Sequence, residues 1–511
     1  MQNKLFDFSQ FKANFSKDFL ASIVVFLVAI PLCLGIAIAS GLPPTAGVIT
    51  GIIGGIMVGS ISGSPLGVSG PAAGLVVLVV EIIAKYGFMM FGEILMLAGL
   101  VQMLAGHFKL GVWFRAISPA VIHGMLAGIG ILIIGSQFHI MLDRKPSANG
   151  IQNIMYFPDA VMQAVSGQNG NINAGLIGLL TIATIVLWTK FSPKKLKLIP
   201  GALVGVLLAI LVANVLHLQL KYITDLFANP ADISNLANAI QLPSLTDFYA
   251  TFNVHVLVAV FSLAFVASAE SLLSASAVDQ MHSGVRTKYD KELFSQGFGN
   301  TVCGFLGVLP MTGVIVRSSA NVAAGAASRA STILHGFWLL LFISVFTFTL
   351  QYIPVAALAG VLVYTGFKLA YPKVLKELMT FGRAEVGIYV ITIITIVMTS
   401  LLTGIMVGLV LSLIKLLYVF SHLEVKVLNT NDDKTLEVHL FGSATIIGLP
   451  KLATTLEALK TKQSVVIEFE DLEYIDHACI DLLHGWQRQY IAGGGTVDIH
   501  WDSLYGKYHK R

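Results

Sequence analysis

Charge is what this sequence has least of. Asp, Glu, Lys and Arg make up 12% of its 511 residues, roughly half the share found in soluble domains. From Phe19 to Val80 there is no Asp, Glu, Lys, Arg or His at all. At about 20 residues per membrane-crossing helix, that run alone accommodates three, and a soluble globular class is excluded. Cysteine is scarce too. Cys33, Cys303 and Cys479 are scattered, which excludes a disulfide scaffold and a cysteine metal centre. No Gly-x4-Gly-Lys-Ser/Thr stretch occurs, so the phosphate-binding loop of ATP-driven transport is missing. His123, His139 and His335 stand alone, without nucleophile–base or metal-ligand spacing. No catalytic residue, metal or cofactor is therefore expected, and an enzyme is the weakest reading. The net charge of +4 calls for no nucleic-acid partner, because Lys and Arg placement in such a chain sets topology.

Hydrophobic residues, 55% of the chain, gather into windows near 20–38, 44–61, 70–86, 92–107, 117–137, 174–190, 199–217, 254–277, 293–309, 313–326, 331–350, 353–370, 384–400 and 401–420. The expectation is a polytopic α-helical membrane protein with fourteen spans. Residues 1–18 are of mixed charge and lack a cleavable signal pattern, so they read as a cytoplasmic lead-in. The expected transmembrane domain covers 19–420, with repeats at about 19–217 and 254–420. The inside loops then carry Lys109 and Arg115, Lys190 to Lys197, Arg286 to Lys291, and Lys368 to Arg383, whereas the long loop from His217 to Phe252 has only Lys221. Arg144 and Lys145 are exceptions on the outside. This bias puts both termini in the cytoplasm.

Two short windows occupy corresponding places. Ser69-Gly70-Pro71-Ala72-Ala73-Gly74 opens the third span of the first half, and Thr312-Gly313-Val314-Ile315 opens the third span of the second. Matched interruptions of this kind point to a transporter site at the bilayer midplane, built by inverted repeats. The second opening lies within Gly304–Ala330, which carries Arg317 in an apolar setting. A cation at that depth costs about 2.5–3.5 kcal/mol on insertion scales, and persists where it meets an anion, a carboxylate or water. A half-helix N-terminus aims free N–H groups at the same place. Glu270 is the one acidic residue in 254–277, which suggests a binding and coupling pair with Arg317. A snorkelling arginine near a helix end is the bland alternative.

After Phe420 the pattern changes. Leu436–Leu440, Ser464–Phe469 and Thr496–His500 read as strands, with helical patterns near 447–460 and 477–491 between them. A small cytoplasmic α/β domain is expected over 421–511.

At this point the chain resembles the SulP family of sulfate permeases and inorganic anion transporters, over nearly its full length. The resemblance is carried by Ile30-Pro31-Leu32-Cys33-Leu34-Gly35-Ile36-Ala37, the Val68 to Ala73 turn, Ala269-Glu270-Ser271, Lys291-Glu292-Leu293 and Arg317-Ser318. The trailing α/β region looks like a STAS domain. The family implies two inverted seven-span repeats divided into a core and a gate, in the bacterial inner membrane, commonly as a homodimer. It implies an anion held by the backbone at Ala72 and Ala73 and at Val314, Ile315 and Val316, with Arg317 nearby and Leu32 and Ile36 as a wall from span one. Glu270 matches the position that family members use for cation coupling.

The departures are Leu32, where many relatives have a polar residue, and Val316, where many have serine. Both leave more of the selection to helix N-termini and Arg317. The bicarbonate branch lacks the span-ten arginine, so its presence favours sulfate. In the STAS-like region, Ile475-Asp476-His477-Ala478-Cys479 replaces a loop that carries phosphorylatable serines, so phosphoswitching there is not expected. The resulting expectation is secondary active sulfate uptake coupled to H+ or Na+. The alternatives are a sodium-coupled bicarbonate transporter, an uncoupled anion channel or sensor, and a nucleobase permease of the same fold. The last would place polar side chains where Val314, Ile315 and Val316 stand.

Overall fold

Every one of the apolar windows carries helix in the computed structural model, which describes residues 8–111, 118–147, 150–193, 196, 199–226, 240, 242, 253–371, 373–429, 435–459, 463–469 and 472–501. The chain divides into two compact units, Met1–Gly408 and Leu409–Arg511.

The principal elements of the first unit begin with α1 (Phe8–Ala39), α2 (Pro44–Ile52), strand β1 (Ser69–Pro71), α3 (Val76–His107) and α4 (Pro119–Met141). They continue with α5 (Ile172–Phe191), α6 (Gly201–Val215), α7 (Val254–Met281), α8 (Tyr289–Phe305), strand β2 (Met311–Gly313) and α9 (Ile315–Ala323). The series closes with α10 (Ala330–Val345), α11 (Val355–Leu369), α12 (Arg383–Met398) and α13 (Leu401–Ser421), which runs across the division between the units. Eight helical stretches among the described residues are long and apolar enough to cross a membrane. Further apolar helices such as α6 and α10 are shorter. The nine residues of α9 rise only about 14 Å, roughly half a hydrocarbon core.

Windows 70–86 and 92–107 are not separated by a loop. A 3-10 turn, Ala73–Leu75, leads from β1 into α3, which breaks only at Gly87 (φ 82, ψ 169) and then continues to His107. Glycine is the residue for which that φ carries no steric cost. From Phe8 onward, the stretch read as a lead-in is helical, and it is continuous with the first span as α1.

The polar residues inside this unit have a task. Glu292, Gln296 and Asn300 recur every four residues and so share one face of α8. Gln296 donates to Ser69 Oγ (2.6 Å) and to Glu292 Oε1 (2.8 Å). Glu292 Oε2 accepts from Ser62 Oγ (2.6 Å) and from the Ser64 N–H (2.9 Å). The Asn300 amide accepts from the Met311 N–H (2.7 Å) and donates to the Met311 carbonyl (3.0 Å) and Gln102 Oε1 (2.8 Å). One helix therefore holds both β1 and β2. It sits close against α3: a Cβ at Gly99 would lie 2.4 Å from the Thr301 amide nitrogen.

The second unit contains β3 (Leu423–Asn429), β4 (Thr435–Ala444), α14 (Leu449–Glu457), β5 (Ser464–Glu468), β6 (Leu472–Ile475), α15 (His477–Ala492) and β7 (Thr496–Ile499). The strands make one sheet in the order β3-β4-β5-β7, with β6 also paired to β4. The β3–β4 pair is antiparallel and the others are parallel, as β-α-β connections require. Its core joins Val438, Leu440, Val465 and Ile467 to Leu452, Leu483 and Trp486. Asp476 caps α15 by accepting from the Cys479 N–H (2.9 Å), and His477 beside it is exposed.

Candidate functional site

β1 and β2 come from the two matched Gly/Pro-interrupted stretches and pair with each other. The register is antiparallel: Ser69 faces Gly313, Gly70 faces Thr312 and Pro71 faces Met311. The Val314 N–H also donates to the Val68 carbonyl (2.9 Å), and Ser318 Oγ accepts from the Val68 N–H (2.9 Å). Each strand runs directly into a helix, so the two helix starts lie at opposite ends of the ribbon, with N-cap residues four residue steps, or about 13 Å, apart along it.

Neither start is capped. Ala72 and Val314 occupy the N-cap positions in extended conformation, and neither has a side-chain hydrogen bond to the turn that follows. Alanine and valine have no acceptor to offer, so the first N–H groups of both helices stay available to something else. Ala72 is buried, Ala73, Val314 and Ile315 are half-buried, and Val316 is 40% exposed. Leu32 and Ile36, one turn apart on α1, are both buried.

Arg317 is fully buried. Its Nη2 donates to Cys33 Sγ (3.3 Å), while Nε and Nη1 have no hydrogen-bond partner. The guanidinium lies over Gly70, where a Cβ would meet Nη1 at 2.2 Å. Glu270 stands over the other glycine of the same turn. A Cβ at Gly74 would lie 2.7 Å from Glu270 Oε2, and that oxygen is buried without a hydrogen-bond partner. Next to Glu270, Ser271 Oγ is 3.3 Å from the Gly313 amide nitrogen, which donates to it. α7 thus meets β2 and the turn that follows β1.

No ion pair joins Arg317 and Glu270, and each faces its own glycine, so the binding and coupling pair suggested by the sequence consists of two groups without direct contact. The roles of Gly70, Gly74, Cys33 and Ser271 escaped the sequence reading. The only signal for them was two glycines bracketing Pro71-Ala72-Ala73.

Comparison with known proteins bears on this arrangement. The sequence model of the sulfate permease family matches residues 15–392. The chain belongs to the sulfate permease family. A relative in Bacillus subtilis (strain 168), named "Putative sulfate transporter YvdB", is 30% identical over 372 residues, covering 73% of this chain and 68% of its own. The bicarbonate transporter BicA of Picosynechococcus sp. (strain ATCC 27264 / PCC 7002 / PR-6) is 24% identical over 366 residues, covering 68% and 60%. Among solved structures, the transmembrane domain of a cyanobacterium bicarbonate transporter BicA superposes with a TM-score of 0.64 at 23% identity, over 78% of this chain and 97% of that one. The murine Solute Carrier 26 family member A9 (Slc26a9) anion transporter in the inward-facing state gives 0.75 at 14% identity, over 94% and 85%. At these identities the structural likenesses establish the fold of this sulfate permease family member.

Proposed function

We propose that this anion transporter of the sulfate permease family takes up sulfate, coupled to a proton or sodium ion, by alternating access. The observation that carries the reading is Arg317: a fully buried guanidinium, beside two uncapped helix starts, with no carboxylate among the described residues paired to it. A divalent anion gains more than a monovalent one from a fixed cation where the dielectric is low. The N–H groups after Ala72 and Val314 would supply the short-range contacts, with Val316, Ile315, Leu32 and Ile36 as apolar walls. Glu270, at the start of the third-span helix, would take up the co-transported cation. The core would then cross only when the charges of Arg317, Glu270 and their ligands balance.

The surrounding membrane would be the bacterial inner membrane, crossed many times, with both termini inside. Residues 421–511 would act as a STAS-like cytoplasmic domain, and two copies would form the working unit.

Bicarbonate is the second reading, favoured by the likeness to BicA in sequence and fold. Uptake of radiolabelled sulfate and radiolabelled bicarbonate into proteoliposomes, with and without imposed pH and sodium gradients, separates the two. Sulfate accumulation that depends on one of the gradients is expected. Gradient-driven bicarbonate uptake with no sulfate uptake would replace this reading with the other.

A further inference from the structure

The Arg317 guanidinium has one hydrogen-bond partner among the described residues, and it belongs to a different span. Nη2 donates to Cys33 Sγ on α1 at 3.3 Å, whereas Nε and Nη1 donate to nothing. Both side chains are fully buried. The thiol therefore makes the one directional contact that these residues offer the guanidinium. Its own place is closely set by α2. A Cβ at Gly51 would lie 3.0 Å from Cys33 Sγ and 2.7 Å from Leu339 Cδ1. Gly47, one turn earlier on the same face of α2, leaves room for the Cys33 carbonyl oxygen, with which its Cβ would collide. The guanidinium itself rests against Gly70, where a Cβ would collide with Nη1. Arg317 is thus held between a glycine of the ribbon and a sulfur that α2 keeps in position.

The kind of acceptor matters. A long arginine side chain keeps its rotamer freedom unless something holds its head group. Thiol sulfur is a weak acceptor, so it can direct Nη2 without compensating the charge. An anion arriving at the helix starts would then meet a guanidinium that is already oriented. Preorganisation of this kind raises affinity by removing an ordering cost from the binding step.

We propose that Cys33 is a positioning residue for anion binding: its sulfur, as acceptor for Nη2, aims the Arg317 guanidinium from α1. The proposal rests on Arg317 being the anion's electrostatic anchor, as proposed above. It gives span one a polar task in addition to the apolar wall of Leu32 and Ile36.

The test measures binding of radiolabelled sulfate to the purified full-length protein, beside its melting temperature as a check on folding. Cys33→Ala, Cys33→Val, Cys33→Ser, Arg317→Ala and the double variant Cys33→Ala with Arg317→Ala are compared with wild type. Cys33→Ala removes the acceptor and should weaken sulfate binding about three- to tenfold, the scale of one hydrogen bond. Cys33→Val keeps bulk at the position but accepts nothing, and should lose as much, so the test survives if one of the two does not fold. Cys33→Ser retains an acceptor and should stay within about twofold of wild type. In the Arg317→Ala background, Cys33→Ala should cause no further loss, which a merely structural role would not produce. Wild-type affinity in folded Cys33→Ala or Cys33→Val protein would overturn the proposal. So would a loss in Cys33→Ser equal to that in Cys33→Ala, or a further loss in the double variant. If Arg317→Ala binds sulfate normally, the anchor reading falls and takes this proposal with it. A loss in Arg317→Ala with none in Cys33→Ala overturns this proposal alone.

Discussion

The Glu270 carboxylate rests directly on Gly74, so closely that a Cβ at Gly74 would meet its Oε2 at 2.7 Å and Oε1 at 2.8 Å. The acidic group of α7 thus sits against the opening turn of the third-span helix. Gly74→Ala would put a methyl group into that contact and push the carboxylate away. The obstruction is the far end of a flexible side chain, so folding should survive, at a cost of roughly 1 kcal/mol or less in Tm-derived stability. Gradient-driven sulfate accumulation should fall several-fold while equilibrium exchange changes little. Unchanged accumulation would show that this contact is incidental.

Gly70 plays the same part for the other charge. A Cβ there would lie 2.2 Å from Arg317 Nη1, so Gly70→Ala must displace the guanidinium from over the ribbon. Sulfate affinity is expected to drop about tenfold, as for one lost charge-assisted contact. Double-mutant comparison with Arg317→Ala should show no further loss. Additive losses would mean that Gly70 acts through the backbone instead.

Asn300 should be a stability residue. It bonds both main-chain groups of Met311 and the Gln102 side chain, all buried. Asn300→Ala leaves a buried N–H and carbonyl of β2 without partners, at about 1–3 kcal/mol for each such group. The detergent-solubilised protein should melt several degrees lower, and saturating sulfate should recover part of the loss. An unchanged melting temperature would remove Asn300 from the scaffold.

Outside the spans, Asp143 follows α4 and adopts φ 58. The Lys221 ammonium donates to its carbonyl, and its Oδ1 is buried without a partner. Burial pushes this carboxyl up from its ordinary 3.8 to about 6, with Lys221 pulling the other way and Asp225 adding to the rise. A raised carboxyl in the folded state stabilises when protonated. Its contribution is therefore complete below about pH 4 and is lost as pH rises through about 6. The loop around Asp143 should be firmer at pH 5 than at pH 7.5, because the buried charge is neutralised, read as higher protection factors, with exchange corrected for its intrinsic pH dependence, over 142–144 and 221–223. Asp143→Asn should give the firmer behaviour at both pH values. A variant that retains the pH dependence would assign it to another group.

Much of this was legible because span-length apolar runs and a missing charge are properties of the residues themselves. The matched openings at Ser69 and Thr312 were visible for the same reason, since Gly and Pro interrupt both. Their pairing into a ribbon was not, because three-residue strands have no period to read. The neighbours of Arg317 and Glu270 were hidden too. That their segments pack together does not say how each helix is rotated, and that rotation turns Arg317 toward Cys33 and Glu270 toward Gly74. β3 went unread because Leu423–Asn429 follows the last span with no turn residue to mark the change.

The central claim is that anion binding at the ribbon and cation binding at Glu270 are separate events joined by charge balance. Glu270→Gln mimics the protonated carboxyl at all times. Gradient-driven uptake and equilibrium sulfate exchange, measured in the same proteoliposomes, test the claim most directly. Exchange should persist at near wild-type affinity while accumulation against a gradient is lost. Glu270→Gln protein that still concentrates sulfate under a pH or sodium gradient would contradict the account.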